Sequence, residues 1–218
     1  MSALKSRAIE AINRNGILLL YPIQNSSQFN SVWSCLWPRS KMTWAWDDQA
    51  DNKVVKLWHL KEELSQSGEV LYAKWLKDRA TFFSKDLFIP LLRALNPDEN
   101  IRFPSAKSQE IYDLLEDCSP QSTKALKKAC DLKGRDLESE YQRSMRFLWR
   151  RLLILGWGEV DEGAFPSLNI VATKHFFEKE FREAFKLSET TALKKLEAHP
   201  GFQVQHQKWL QQSKKVVF

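Results

Sequence analysis

The stretch "LESEYQRSMRFLWRRLLILG", residues 137–156, decides the fold because its hydrophobic pattern predicts one long helix. With Tyr141 as the angular origin and an advance of about 100° per residue, four apolar residues lie within roughly 40° of it and form one face of the helix. The apolar residues on this face are Met145, Leu148, Leu152 and Leu155. Such a stripe is typical of a helix that packs on its neighbours along one side.

The opposite side of this predicted helix is cationic. It carries Gln142, Arg143, Arg146 and Arg150. A DNA-recognition helix needs both sides, because its apolar face rests on two other helices while its outer face lies in the major groove. Arginine there can reach phosphates or the O6 and N7 atoms of guanine. The alternative is that a charged outer face is ordinary for any surface helix, and arginine is a good helix former.

The segments around the long helix favour the first interpretation. Helices are predicted over 105–118 and 119–132, the second with Ser119 as its cap and Pro120 at its first position. After the long helix, two strands flank a turn at 161–167, which gives the order of a winged helix. Three lysines on the 119–132 helix are expected to meet the phosphate backbone. They are Lys124, Lys127 and Lys128. The predicted wing begins with acidic residues, which is unfavourable for a wing contact with DNA.

The first half of the chain repeats the theme of helices followed by a hairpin. Helices are predicted over 2–14, 53–66 and 85–95, a buried strand within 16–23, and a hairpin within 69–84. The predicted fold class is therefore α+β and mainly helical, with tandem winged-helix units that contain small β-hairpins. The expected organisation is an N-terminal unit over 1–100, a winged-helix unit over 101–180 and a C-terminal helical tail over 181–218.

A tryptophan-rich run, "WSCLWPRSKMTWAWDD" at 33–48, is the other candidate functional segment. Exposed aromatic rings stack on bases, and basic side chains between them touch phosphates. The candidates for nucleic-acid contact are Arg39, Lys41, Trp44 and Trp46. Asp47 or Asp48 is a candidate to contact a flipped base or to act as a general base on water. The alternative is that the tryptophans are core and the aspartates only open a turn.

Composition narrows the class of protein without choosing a function. The chain has 218 residues and a formal net charge of +6, a mild excess that fits a nucleic-acid partner. Its longest apolar run, "GILLLYPI" at 16–23, is too short to span a bilayer, and no signal-peptide pattern precedes it. We therefore expect a cytoplasmic protein. The three cysteines and four histidines have no metal-ligand spacing, so we expect no metal and no cofactor.

Several stretches resemble short bacterial proteins related to the AlkZ family of winged-helix DNA glycosylases. They are "YPI", "WPRSKMTWAWDD", "KLWHLKEEL", "KWLKDRATFFS", "SPQSTKAL" and "LWRRLLILGWGEVDEGAFPSLN", which together cover about residues 15–180. The resemblance implies a tandem winged-helix architecture and double-stranded DNA as the partner. It also implies hydrolysis of the glycosidic bond of alkylated or crosslinked bases.

The catalytic signature of that family is a Gln–hydrophobic–Gln motif near the N-terminus. The comparable segment here reads Tyr21-Pro22-Ile23, followed by a single glutamine, Gln24. A glutamine pair at Gln203 and Gln205 lies at the other end of the chain, so the catalytic role is not carried over to it. Three functions remain open: a DNA-binding protein without catalysis, an active glycosylase, and a transcription regulator or protein-interaction module.

Overall fold

A computed structural model describes residues 2–24, 28–43, 52–96, 98–132, 134–163 and 166–215. In the first half, helices and strands alternate around a three-stranded antiparallel sheet of order β1-β3-β2. The elements are α1 (Ala3–Asn15), β1 (Ile17–Leu19), α2 (Val32–Leu36), α3 (Asn52–Ser65), β2 (Leu71–Lys74) and β3 (Ala80–Phe83). A 3₁₀ turn, Leu76–Asp78, lies inside the β2–β3 hairpin.

The second half contains a second three-stranded antiparallel sheet, of order β4-β6-β5, and is followed by further helices. After the connecting helix α4 (Lys85–Leu95) come α5 (Ala106–Cys118), β4 (Gln121–Ser122), α6 (Thr123–Ala129), α7 (Arg135–Arg150), β5 (Ile154–Val160) and β6 (Ser167–Ala172). The chain ends with α8 (Thr173–Phe176), α9 (Glu178–Lys186), α10 (Glu189–Ala198) and α11 (Val204–Lys214).

Both halves follow the same order of elements. Each runs helix, strand, helix, helix, strand, strand, and in each the first strand pairs with the third. The protein is thus a mainly helical α+β protein with small antiparallel sheets, as the sequence predicts. The helix predicted over 85–95 is confirmed as α4, and the one predicted over 53–66 is α3, displaced by one residue.

The larger hydrophobic core joins the two halves rather than filling either one. It contains Phe83 and Leu91 from the first half and Leu148 from the second, all fully buried. The C-terminal helices complete this core through their own apolar residues, which include Phe181, Leu196, Trp209 and Leu210. Residues 181–215 are therefore packed on the body of the protein, mainly against α4.

Helix α7 is shorter than the predicted 137–156 helix, because it ends at Arg150. Leu152 takes a left-handed backbone conformation, with φ 56°. The N–H of Leu152 donates to the Trp149 carbonyl and the N–H of Leu153 donates to the Leu148 carbonyl, both at 3.1 Å. These two bonds form a Schellman motif, which ends a helix. Leu152 and Leu155 are buried as expected, but they lie beyond the end of the helix. The predicted helix is too long because the apolar pattern continues past the residue at which the helix ends.

The start of α6 also differs from the prediction. Ser119 does not cap the start of α6; it is the C-cap of α5, where its hydroxyl donates to the Leu115 carbonyl and accepts from the Ala172 N–H at 2.9 Å. Ser122 is the cap instead, accepting from the Ala125 N–H at 3.0 Å. The two residues before α6 are used by β4, which pairs with β6. Strand pairing therefore overrides the cap-and-proline signal.

Candidate nucleic-acid interface

The two sides of α7 differ as the sequence predicts over the part that is helical. Tyr141, Met145 and Leu148 are buried. Gln142, Arg143 and Arg146 are exposed. The exposed side adjoins α6, where Lys124 and Lys128 are also exposed. We call the exposed group Lys124, Lys128, Gln142, Arg143 and Arg146 the α6–α7 face.

Arg150, the third arginine predicted on this side, is engaged elsewhere. Its Nε and Nη2 atoms donate to the two carboxylate oxygens of Asp78, each at 2.7 Å. Its guanidinium also lies 4.8 Å from the ring centroid of Trp209. Arg146 makes a longer contact with the same residue, because its Nε atom lies 3.8 Å from Oδ2 of Asp78. Of the three arginines, Arg143 and Arg146 are the ones exposed to solvent.

Lys127 is the most constrained of the three lysines of α6. It forms an ion pair of 2.6 Å with Glu138, and its ammonium lies 4.6 Å from the ring centroid of Tyr141. Hydrogen bonds from Lys127 and from Gln142 lower the pKa of Glu138. The Lys124 ammonium donates to the Glu162 carbonyl, at the start of the predicted wing. The Glu162 carboxylate also accepts from the hydroxyl of Ser122, the cap of α6, at 2.7 Å, so Glu162 contacts α6 through both its backbone and its side chain.

Only the first part of the tryptophan-rich run, residues 33–43, lies within the described residues. Trp33 is core, only 2% exposed, and its indole N–H donates to the Ser40 carbonyl at 3.0 Å. Arg39 and Lys41 are exposed in the segment after α2. The remaining candidates, Trp44, Trp46, Asp47 and Asp48, lie outside the described residues.

A cleft of about 580 Å³ lies between the two halves. The first half contributes aromatic rings from Tyr21, Trp58 and Tyr72, and the second contributes Glu159 of β5. Lys61 of α3 forms an ion pair with Glu159 across the cleft, and both side chains are about nine-tenths buried, at 9% and 10% exposure. The cleft therefore combines stacking surfaces with a buried carboxylate.

The buried carboxylate affects the tyrosines around it. Burial, and to a lesser extent the negative charge of Glu159, raises the pKa of Tyr21 to about 12. The same two causes raise the pKa of Tyr72 still further. Both hydroxyls therefore remain protonated at neutral pH, and that of Tyr21 donates to the Val54 carbonyl at 3.1 Å.

A smaller cavity of about 240 Å³ connects this cleft to the α6–α7 face. It is lined by Lys127, Gln142 and Trp149. Three residues line both cavities: Lys74, Thr123 and Lys124. Positively charged groups therefore continue from the outer face of α7 into the cleft between the halves.

Sequence reasoning did not single out Lys61, Lys74 or Glu159. They come from a helix and two strands that are far apart in the chain, and each has an unremarkable local pattern. The alternation of β2 places Lys74 on the opposite side from the buried Ala73, but it does not indicate what faces that side. Only the packing of the second half against the first brings Glu159 to the two lysines.

Within the described ranges, no three histidine, cysteine or acidic side chains are grouped closely enough to hold a metal ion. Within those ranges, too, none of the helices has the length and apolar character needed to cross a membrane.

Comparison with known families gives the decisive match. The family model described as AlkZ related matches residues 5–216, nearly the whole chain. The chain belongs to the AlkZ-related family. The match extends the resemblance noted over residues 15–180 to both ends of the protein. Searches of curated proteins and of solved structures each found no match.

Within this AlkZ-related protein, the segment comparable to the AlkZ signature lies at the cleft. Tyr21 lines the cleft itself, while Pro22, Ile23 and Gln24 line an adjoining cavity of about 440 Å³. The glutamine pair of α11 has a different role. Gln205 donates to the side chain of Gln203 at 2.7 Å and to the Gln28 carbonyl at 2.9 Å.

Proposed function

We propose that each half of the chain is a winged helix and that the protein binds double-stranded DNA. The repeated order of helix, strand, helix, helix and hairpin supports the first part. So does the strand order, since the first strand pairs with the third in both sheets. On this assignment α3 and α7 are the third helices of their units, the position that enters the major groove in this class of domain.

The observation that carries the DNA proposal is the α6–α7 face. Its residues are exposed, and Lys124 of α6 and Gln142 of α7 line the same small cavity, while the other side of α7 is held in the core by Tyr141, Met145 and Leu148. A rigid helix with exposed arginines beside exposed lysines matches the charge and shape of a DNA groove. Membership of the AlkZ-related family supports the same partner.

The residues of this face have different roles in the proposal. Arg143, Arg146 and Gln142 extend into the groove, where arginine and glutamine can form hydrogen bonds with base edges. Lys124 and Lys128 contact phosphates beside the groove and position the helix. Arg39 and Lys41 contact the backbone further along the duplex. Lys127 and Arg150 act indirectly, by holding Glu138 and Asp78 in ion pairs.

Charge-matched variants test this assignment. Arg143→Ala/Arg146→Ala removes two cations from the face, and Lys194→Ala/Lys195→Ala removes two exposed cations from α10. Fluorescence anisotropy with a labelled duplex is expected to show at least a tenfold larger loss of affinity for the first pair, since two direct contacts each contribute about 1–3 kcal/mol. Equal losses in the two variants would contradict a specific role for this face.

Removal of an alkylated base is a second candidate function, favoured by the cleft. Its aromatic walls suit an extruded base, and Glu159 is a carboxylate able to take a proton from water. Asp47 and Asp48 remain candidates for the same role from the sequence. A duplex carrying an alkylated purine distinguishes these assignments. Base release that is lost in Glu159→Gln and retained in Asp47→Asn/Asp48→Asn supports the cleft, and the reverse supports the aspartates.

Absence of DNA binding at low salt would favour the remaining alternative, a protein-interaction module. In that case the exposed ring of Trp58, 39% exposed at the edge of the cleft, is the first place to look for a protein contact.

A further inference from the structure

Lys74 occupies an unusual position for a surface lysine. It is the last residue of β2, opposite Ala80 of β3, and its side chain lines both the cleft between the halves and the smaller cavity beside α7. The side chain reaches solvent, so a ligand in either cavity has access to its amine.

The backbone at Lys74 is held firmly by the residue that follows. Trp75 is fully buried, and its indole N–H donates to the Arg150 carbonyl at 3.2 Å. The carbonyl of Trp75 accepts from the indole N–H of Trp209 at 2.8 Å. These bonds attach the end of β2 to α7 and α11, so the amine extends from a rigid support.

The surroundings of Lys74 favour its neutral form, through desolvation more than through the neighbouring charges. In the described part of the chain it has no ion pair, whereas the nearby Lys61 is paired with Glu159. Surrounding protein atoms, and next the positive charge of Lys61, lower the pKa of Lys74, although the charge of Glu159 opposes this. A lowered pKa increases the fraction of unprotonated amine at neutral pH, which is the nucleophilic form.

We propose that Lys74 is a Schiff-base nucleophile that acts on the aldehyde of an abasic site in bound DNA. The inference rests on the proposed DNA binding and adds a strand-cleaving activity to it. The placement is suitable, because the same cavities that expose the amine are lined by Lys124 and Lys127, whose charges suit the phosphates flanking such a site.

The chemistry balances without a metal or a redox partner. The Lys74 amine attacks C1′ of the ring-opened sugar, and loss of one water gives a protonated imine. This withdraws electrons from C2′, where one proton is removed. The carbon–oxygen bond at C3′ then breaks, and the 3′ phosphate leaves with that electron pair. Hydrolysis of the imine returns the free amine and releases the unsaturated aldehyde end.

Glu159 is the proton acceptor that the cleft offers for the C2′ proton. Glu159 lines the same cavity as Lys74, and its ion pair with Lys61 fixes the orientation of its carboxylate. Thr123 and Ser167 also line this cavity, where their hydroxyls are hydrogen-bonded to each other at 2.9 Å. The two residues that the reaction requires, Lys74 and Glu159, thus line one cleft.

Borohydride trapping tests the proposal directly. A duplex with one aldehydic abasic site is incubated with the protein, the imine is reduced to a stable amine, and the attached peptide is identified by mass spectrometry. Lys74→Arg keeps the positive charge but removes the nucleophile, and Lys194→Arg is the matched control on α10. Anisotropy with the same duplex is measured for all three proteins.

The proposal expects an adduct on Lys74, at least about tenfold less adduct in Lys74→Arg, and DNA affinity within about twofold for all three proteins. DNA binding without an adduct, or an adduct on another lysine, would overturn the nucleophile assignment while leaving the proposed function intact. No binding of the duplex by the wild type would instead remove the proposed function, and this inference with it.

Discussion

Asp78 and Arg150 form a two-point ion pair that joins the β2–β3 hairpin to the end of α7, with both nitrogen–oxygen distances at 2.7 Å. The carboxylate also lies 3.8 Å from the Nε atom of Arg146. Two of the three arginines that the sequence places on the outer side of α7 are therefore near one acidic residue of the first half. This contact fixes the relative position of the halves and reduces the positive charge available at one end of the α6–α7 face.

We expect Asp78→Asn to strengthen DNA binding and to weaken the fold slightly. Asparagine tolerates the left-handed conformation of this residue, φ 56°, so the backbone need not change. Loss of the negative charge should tighten binding at low salt by about threefold. The pair is partly exposed, so unfolding should become easier by only about 1 kcal/mol. Anisotropy and urea unfolding measure the two effects, with Glu197→Gln on α10 as the control. Unchanged affinity would show that Asp78 does not influence the DNA-binding face.

The buried pair Lys61–Glu159 should respond differently from a surface pair. Lys61→Met leaves the Glu159 charge buried without its partner, and this should cost about 3 kcal/mol of unfolding free energy. Adding Glu159→Gln removes the uncompensated charge and should restore a large part of that loss. Urea unfolding of the two single variants and the double variant measures the coupling. If the losses simply add, the two residues do not interact in solution as they do in this structure.

His206 should make the stability of the protein fall in weak acid. It is 5% exposed, and burial lowers its pKa to about 4 from the ordinary 6.5. The unfolded chain therefore binds a proton on this residue as the pH falls below 6.5, while the folded protein does not until about pH 4. Between these values the free energy of unfolding should fall by about 3 kcal/mol. Burial also lowers the pKa of His199, which adds in the same direction.

A variant separates the contribution of His206 from that of the carboxylates. His206→Asn removes the titration and can still accept the hydrogen bond that the Gln203 N–H donates to Nδ1 at 3.0 Å. Its stability should vary less between pH 7 and pH 4 than that of the wild type, whereas His175→Asn, at an exposed position, should behave as the wild type. A wild-type slope in His206→Asn would contradict the buried neutral histidine.

The sequence predicts the helices well where hydrophobic spacing and a capping residue agree. Helix α4 is an example, since Ser84 caps it and its apolar residues keep helical spacing. The prediction fails where a signal continues past its element. Leu152 and Leu155 extend the apolar pattern of α7, yet a backbone turn ends the helix before them. Likewise Ser119 and Pro120 indicate a helix start, but pairing of β4 with β6 displaces it.

The candidate site is less predictable than the fold. A helical wheel is sufficient to predict that Arg143 and Arg146 lie on the exposed side of α7, because the spacing within this one segment determines which side each residue faces. It cannot show that Arg150 is paired with Asp78, which is 72 residues earlier in the chain. The cleft is harder still, because Lys61, Lys74 and Glu159 come from three elements. Glu159 reaches the two lysines only because the two halves pack together, and no local pattern in the sequence predicts that packing.

The most direct test of the proposed DNA binding is its dependence on salt. Anisotropy of a labelled duplex with the wild-type protein, measured over a series of salt concentrations, gives a log–log slope that reports the number of phosphate contacts. The four side chains assigned to phosphates predict a slope of about −3.6, and Lys124→Ala/Lys128→Ala, which removes two of them, should make it shallower by about 1.8. Absence of binding at low salt, or an affinity that salt does not change, would contradict the account.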